Sequence, residues 1–250
     1  MHRKGSREPA IVKTLNCPYH AASRRRLYRE AVALQECAGA GVPAILASNA
    51  FHYDERGPSA KQLFIAMEPV FGMSLDKIVP QKGPMESAQA LSIGIGILNV
   101  LERVHIRGWS HGDIKPDNIR LDDDHKLSVV VIDFGCATNG WGPEILIAGS
   151  EAELNTAFVE LPEGTAQLER DLSSVVGLLF FLLTAVRPRE IFNSSSPRLH
   201  EGGKLTAALS GVDDRYSGVF GRAFDRSVGR LYSASSELRS DLQMIAGSLE

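Results

Sequence analysis

Two polar clusters, a β-hairpin's length apart, constrain this chain more than any other feature in it. The first, "HGDIKPDN" at 111–118, sets Asp113, Lys115, Asp117 and Asn118 within six residues, with Pro116 among them. The second, "DFG" at 133–135, closes the β-branched run "KLSVVVIDFG" at 126–135, which is short enough for a buried strand. "LDDDH" at 121–125, between them, is turn-like and reads as a solvated hairpin tip rather than a metal site. An isolated "DFG" is more often a turn than a site, and a lone "HGD" is as weak. Their joint occurrence at this separation points to one functional site.

The remaining pattern divides the chain at about Gly72. Before it, "EPAIVKTLNC" at 8–17 has a β-branched run around Lys13 and predicts a strand. "SRRRLYREAVALQECAGAG" at 23–41 follows, with Leu27, Ala31 and Leu34 at helical spacing and glycines at its end. "FHYDERGPSAKQLFIAMEPV" at 51–70 predicts two strands joined by a polar Gly-Pro loop. Beyond Gly72, "ALSIGIGILNVLERVHIRG" at 90–108 carries Leu91, Ile95, Leu98 and Leu101 on one helical face and stops at Gly108. A weakly patterned stretch runs from 136 to about 165. Then "VVGLLFFLLTAV" at 175–186 predicts a buried helix and "SASSELRSDLQMIAGSLE" at 233–250 a capped amphipathic one. A small, mostly β unit with one helix therefore precedes a mostly helical part, an α+β organisation.

Composition excludes several function classes. With 44% hydrophobic and 23% charged residues and a net charge of -3, the chain has the profile of a soluble globular protein, and no nucleic-acid partner is expected. Cys17, Cys37 and Cys136 are odd in number and form no CxxC pair, so neither a disulfide framework nor a zinc site is indicated. A reducing cytoplasm fits that usage. The opening "MHRKGSREPA" is followed by no apolar run and is not a secretory signal. The longest apolar run has about a dozen residues where a bilayer needs roughly 20, so no membrane segment is expected.

With the elements in this order, the chain resembles the eukaryotic-type protein kinase domain from about Lys13 to Ile245. That resemblance implies a bilobal α+β fold: residues 1–67 as a partial small lobe with one helix, 68–72 as the hinge and 73–250 as a mostly helical large lobe. "HGDIKPDN" is similar to the family's catalytic loop. This implies Asp113 as the base that accepts the substrate hydroxyl proton, Lys115 as a contact to the transferring phosphate and Asn118 as a magnesium ligand. "DFG" implies Asp133 on the magnesium that bridges the ATP phosphates. "AIVK" at 10–13 resembles the family's "VAIK" and implies Lys13 on the α- and β-phosphates, with Glu30 as its helix partner and Glu36 as the weaker alternative. "FIAMEPVFG" at 64–72 resembles the hinge, with Met67 behind the adenine and the Glu68 carbonyl and Val70 amide bonding the base. Asp171, in "RDLSSVVGLLFFLLTAVRP", falls where an acid steadies the catalytic loop backbone, and His111 reads as a packed core histidine. "VELPEG" at 159–164 is a divergent form of the family's "APE", implying Glu163 as an ion-pair partner of Arg230 and Thr156 as a contact to the catalytic loop. ATP and Mg2+ are the implied cofactors and a protein Ser/Thr hydroxyl the implied substrate. The residue types suit the reaction, because phosphoryl transfer asks for positioning and charge neutralisation, and hard oxygen ligands suit magnesium.

Three departures qualify the resemblance. Gly112 stands where the family has the arginine of "HRD", which suggests that loop phosphorylation is not the on-switch. "LPE" replaces "APE". Only twelve residues precede Lys13 and Gly5 cannot replace a "GxGxxG", so an N-terminally incomplete chain without its phosphate-covering loop is expected. Two alternatives stay open: a small-molecule kinase of the aminoglycoside or choline type, whose loop also begins "HGD", and a catalytically impaired nucleotide-binding pseudokinase. Lys115 and its "KPDN" context favour a Ser/Thr protein kinase by resemblance.

Overall fold

A computed structural model of the chain describes residues 9–17, 20–52, 62–122, 128–140, 159, 161, 165–188, 211–224 and 230–249. The N-terminal part is a three-stranded antiparallel sheet of β1 (Ile11–Thr14), β2 (Ile45–Ser48) and β3 (Phe64–Met67) in the order β1-β3-β2. Helix α1 (Ala21–Glu36) packs on one face of it. Leu27 and Ala31 of α1 meet Ala50, Leu63 and Ile65 in a small core. The C-terminal half of the same helix turns away from that core, and Ala33, Leu34 and Cys37 enter a second, much larger one.

The large core belongs to the helical part. It is built from α2 (Leu75–Lys82), α3 (Ser87–Ile106), α4 (Gln167–Thr184), α5 (Ser217–Phe224) and α6 (Ser235–Gly247). Helix α4 is apolar nearly all round, with Leu172, Val175, Val176, Leu178, Leu179, Phe180, Phe181 and Leu182 all buried, the signature of a central helix. It confirms the buried helix expected at 175–186, and no helix among the described residues is long and apolar enough to cross a membrane. Helix α3 ends at Ile106, just before Gly108, as expected.

Two short sheets carry the polar clusters. β4 (Met73–Ser74), β6 (Ile119–Asp122) and β7 (Ser128–Val131) form one, in the order β4-β6-β7. β5 (Trp109–Ser110) pairs with β8 (Thr138–Asn139) in the other. In the β6-β7 hairpin Ile119 faces Val131, and the Ile132 N–H donates to the Asn118 carbonyl at 2.9 Å. An antiparallel hairpin returns the chain to where it left, so "HGDIKPDN" before β6 and "DFG" after β7 arrive at the same end.

The loop joining α1 to β2 ties the two parts together. Arg103 of α3 donates to the Ala40 carbonyl at 3.1 Å, and the Val131 N–H donates to the Gly41 carbonyl at 3.2 Å. Gly41 has φ +88°, and a Cβ there would lie 2.7 Å from Val100, so only glycine allows this approach.

Of the two strands expected within 51–70, the second is β3, while the first rests largely on residues outside those described; β2 is a further strand upstream, and 50–52 form a 3-10 turn. Asn49 ends β2: its backbone N–H still donates to the Phe64 carbonyl at 3.3 Å, but its side-chain amide takes the Phe64 N–H at 2.8 Å and donates to the Gln62 carbonyl at 3.0 Å. The strand expected around Lys13 is β1. Helix α6 begins after Ala234, whose side chain accepts nothing, and Glu237 instead reaches back to the Ser233 N–H at 3.2 Å. The readings of "LDDDH" as a hairpin tip, of Thr156, and of Glu163 with Arg230 rest on residues outside those described.

Candidate active site

Residue by residue, the site starts at β1. Lys13 leaves the face of the sheet that carries Ile65, its cross-strand partner, and so points toward α1. Its Nζ lies 2.8 Å from Glu30 Oε1 and 2.8 Å from Asp133 Oδ1. One ammonium therefore joins the small sheet, the helix and the "DFG" turn. Glu36, the alternative partner, is engaged elsewhere: it accepts from Trp109 Nε1 at 2.7 Å.

The charges respond to this arrangement. Burial pulls the Lys13 ammonium down, but the carboxylates of Glu30 and Asp133 outweigh it and hold the pKa above the ordinary lysine value. Burial pushes Asp133 up, yet Lys13 and the Gly135 N–H hold it below the usual carboxylate range. Glu30 is nearly inaccessible, and burial pushes it up further than Lys13 brings it back.

Asp133 itself is at φ 65° and ψ 76°, a left-handed conformation that a non-glycine residue adopts only when its surroundings impose it. Its carboxylate accepts from the Gly135 N–H at 3.3 Å. Phe134 is fully buried and meets the edge of the His111 ring, with centroids 4.6 Å apart.

His111 links the two clusters, as a core residue. Its Nε2–H donates to the Ile132 carbonyl at 3.0 Å, and its Nδ1 accepts from the Asp113 N–H at 3.2 Å. That pattern assigns the neutral ring and one tautomer. Burial holds its pKa below the ordinary histidine value, against the pull of Asp171.

Asp171 of α4 fixes the backbone of the loop. Its Oδ2 accepts from the His111 N–H at 2.7 Å and its Oδ1 from the Gly112 N–H at 2.8 Å. His105 donates to the same carboxylate at 3.1 Å and bonds Ser235 through its other nitrogen at 3.2 Å. Sequence reading missed His105, because nothing in a helical histidine signals a partner 66 positions away. Gly112 has φ +77°, and a Cβ would sit 2.5 Å from the Cys136 carbonyl oxygen, so the loop here is shaped for glycine.

The Asp113–Asn118 end of the loop is compact. Lys115 Nζ donates to Asp113 Oδ2 at 2.7 Å. Asn118 is buried and donates through Nδ2 to the Asp113 carbonyl at 2.8 Å and to Asp113 Oδ2 at 3.2 Å. Burial lowers the Lys115 pKa, but Asp113 above all, then Asp117 and Asp133, hold it above the ordinary lysine value. The field of Asp133 at Lys115 and the contacts of His111 together bring "HGDIKPDN" and "DFG" into one site. Cys136 beside them is pushed up by burial and by Asp113, which keeps its thiol protonated and unreactive.

The donor set suits magnesium. Asn118 uses its nitrogen on Asp113, so its amide oxygen is the atom that could serve a metal, and Asp133 could supply a carboxylate. Among the described residues no group of three or more His, Cys, Asp or Glu side chains is placed to hold a metal by itself. Magnesium asks for no such group, since it keeps waters and substrate phosphates around one or two protein oxygens.

Met67 ends β3 and packs against both cores. Glu68 and Val70 follow in the connector to β4, where the Glu68 N–H donates to the Ala44 carbonyl at 2.9 Å.

The comparisons agree with this geometry. The family model described as the protein kinase domain matches residues 1–145. Serine/threonine-protein kinase D of Synechocystis is 29% identical over 195 residues, covering 75% of this chain and 37% of its own length. Serine/threonine-protein kinase PknL of Mycobacterium tuberculosis is 27% identical over 205 residues, 79% of this chain and 50% of its own. The probable serine/threonine-protein kinase CPE1738 of Clostridium perfringens is 31% identical over 239 residues, 88% of this chain and 32% of its own. The chain thus spans half or less of the length of these curated relatives. A lysine, a buried helix glutamate and two acid-bearing loops meeting at one hairpin end, together with the match over most of that region, settle the family: this chain belongs to the protein kinase domain family.

Proposed function

We propose that this chain transfers the γ-phosphate of ATP to a serine or threonine hydroxyl of a protein substrate, with Mg2+, in the cytoplasm. The contact of Lys13 with both Glu30 and Asp133 carries the reading. That contact supports the reading, because a cation suited to the α- and β-phosphates lies directly beside a carboxylate suited to a divalent ion. Glu68 and Val70 would hold the adenine through their backbone, with Met67 behind it.

Each polar group then has a task. Lys13, held by Glu30, anchors the non-transferred phosphates. Asp133 and Asn118 would hold a magnesium ion, which would supply charge neutralisation at the phosphate oxygens. Asp113 accepts the proton of the substrate hydroxyl as the oxygen attacks, while its backbone is held by His111, Gly112 and, behind them, Asp171. Lys115, now on Asp113 Oδ2, would turn to the transferring phosphate and offset its growing charge. The serine/threonine preference follows Lys115 and the likeness to serine/threonine-protein kinases.

Radiolabelled ATP with Mg2+, the purified chain and a serine- and threonine-bearing protein substrate test the reading. Loss of the base lowers turnover about 100- to 10,000-fold, so Asp113→Asn should lose nearly all protein labelling. Labelling that survives in Asp113→Asn, or transfer to an aminoglycoside or choline and to no protein, would refute it.

A further inference from the structure

We infer that Trp109 is a positioning residue for the proposed phosphate transfer: bonded to Glu36, it ties the strand pair that follows "DFG" to the end of α1 and so sets where Glu30 meets Lys13. The inference rests on the kinase reading above. Trp109 opens β5 and pairs with Asn139 of β8, and Ser110 pairs with Thr138. The Gly140 N–H donates to the Gly108 carbonyl at 3.1 Å and extends the same pairing. The segment leaving Asp133 is thereby laid along the backbone of Trp109. The indole of Trp109 is buried in the large core and donates from Nε1 to Glu36 Oε2 at 2.7 Å. Glu36 is the last residue of α1, and Glu30 lies on the same helix, about 9 Å back along its axis at about 1.5 Å per residue. One residue thus links the helix that brings Glu30 to Lys13 with the strand that continues from Asp133.

Apolar packing alone would not give this precision. Ala33, Leu34 and Cys37 hold α1 against the large core, but burial of apolar surface is non-directional and tolerates a small slide or turn of the helix. A hydrogen bond is directional, and a buried indole N–H needs an acceptor. Glu36 is exposed and has water as an alternative partner, so Trp109 rather than the carboxylate dictates the bond. The site sets what is at stake. Lys13 lies 2.8 Å from both Glu30 and Asp133, and a misplacement of about 1 Å can cost about 100-fold in rate.

Turnover with ATP, Mg2+ and a protein substrate, measured on wild type, Trp109→Phe, Glu36→Ala, Glu36→Gln, Glu30→Gln and the double variant Trp109→Phe/Glu30→Gln, tests this. Trp109→Phe keeps an aromatic ring and removes the donor, and it should lower turnover about 10- to 100-fold, as should Glu36→Ala. Glu36→Gln keeps an acceptor oxygen and should retain most of the turnover. In the Glu30→Gln background the loss of Trp109 should cost no more than about twofold further, because the group it positions is already gone; a merely structural role would cost the same in both backgrounds. A second readout needs no activity. Only a neutral amine is acylated, and Glu30 and Asp133 hold Lys13 charged, so acetic anhydride footprinting read by mass spectrometry should label Lys13 severalfold faster in Trp109→Phe and in Glu36→Ala than in wild type. Thermal melts show that each variant is folded at the assay temperature. A full loss in the Glu30→Gln background, or Lys13 labelling at the wild-type rate in both Trp109→Phe and Glu36→Ala, would overturn the inference. A wild-type chain that phosphorylates no protein would overturn the kinase reading, and the Lys13 footprint would still decide whether Trp109 positions Glu30.

Discussion

Asp171→Asn tests whether the catalytic loop is held from below by α4. The carboxylate is buried and accepts the His111 N–H at 2.7 Å and the Gly112 N–H at 2.8 Å. Hydrogen bonds to a charged group contribute about 1.5–3 kcal/mol each, and a buried donor left alone costs about 1–3 kcal/mol. Asparagine keeps one acceptor oxygen and turns an N–H toward the other donor. One bond is lost and two donors face each other, so destabilisation should be about 2–4 kcal/mol. For a chain of this size that lowers the melting temperature by roughly 4–16 °C, which leaves a folded protein to assay. Urea denaturation followed by circular dichroism reads the stability. The second readout is kinetic: freeing the backbone at 111–112 lets Asp113 drift, so turnover should fall at least about tenfold, on the scale set by small misplacements. KM for ATP should hardly move, because Lys13, Glu30 and Asp133 do not touch Asp171. If Asp171→Asn unfolds within about 0.5 kcal/mol of wild type and turns over normally, the loop is held by something else.

Two further outcomes follow from the Lys13 cluster. Lys13→Met leaves the Glu30 carboxylate buried and unpaired; breaking a buried pair costs about 3–5 kcal/mol, and the partial exposure of Lys13 reduces this to about 1–3 kcal/mol. Adding Glu30→Gln should restore most of that stability in urea melts without restoring ADP binding, whereas no rescue would mean that the pair is not what the lysine stabilises. The second outcome concerns pH. Asp133 has a folded pKa below its ordinary value, so its contribution to stability is present above that ordinary value and is lost as pH falls through the folded one. Between about pH 5 and 2, Asp133→Asn should lose stability less steeply than wild type, by a small margin because the carboxylate is half-exposed; parallel acid limbs would remove Lys13 as its stabilising partner.

What the sequence disclosed, and what it withheld, follows from the range of each interaction. "HGDIKPDN", "DFG" and the apolar helix were legible because local pattern carries them: turn residues, a β-branched run, an unbroken apolar stretch. Glu30 was named on a helical repeat, yet choosing it over Glu36 needed the contact between Trp109 and Glu36, which spans 73 positions. β2 was not anticipated, because it is four residues long and Asn49 ends it with side-chain hydrogen bonds to Gln62 and Phe64, which leave no periodicity. His105 was invisible for the same reason. Gly112 was read as a missing arginine, whereas its φ and the approach of Cys136 give the glycine a steric role of its own.

The relative position of the two parts is set by packing rather than by the ions that meet there. Lys13 and Asp133 have side chains 36% and 46% exposed, and a pair so open to water contributes about 0–1 kcal/mol. Burying Leu34 alone contributes about 1.5–3 kcal/mol, and Ala33 and Cys37 enter the large core beside it. The α1 helix is therefore anchored to the helical part by its own C-terminal half, by the bond of Glu36 to Trp109 and by the approach of Gly41 to Val100. With the helix fixed that way, Glu30 is delivered to a set place, and Lys13 and Asp133 fall into register around it. The ion contacts are then free to exchange partners with phosphate and cation without loosening the fold. That freedom is what the proposed phosphate transfer would require of charges that must be released at every turnover.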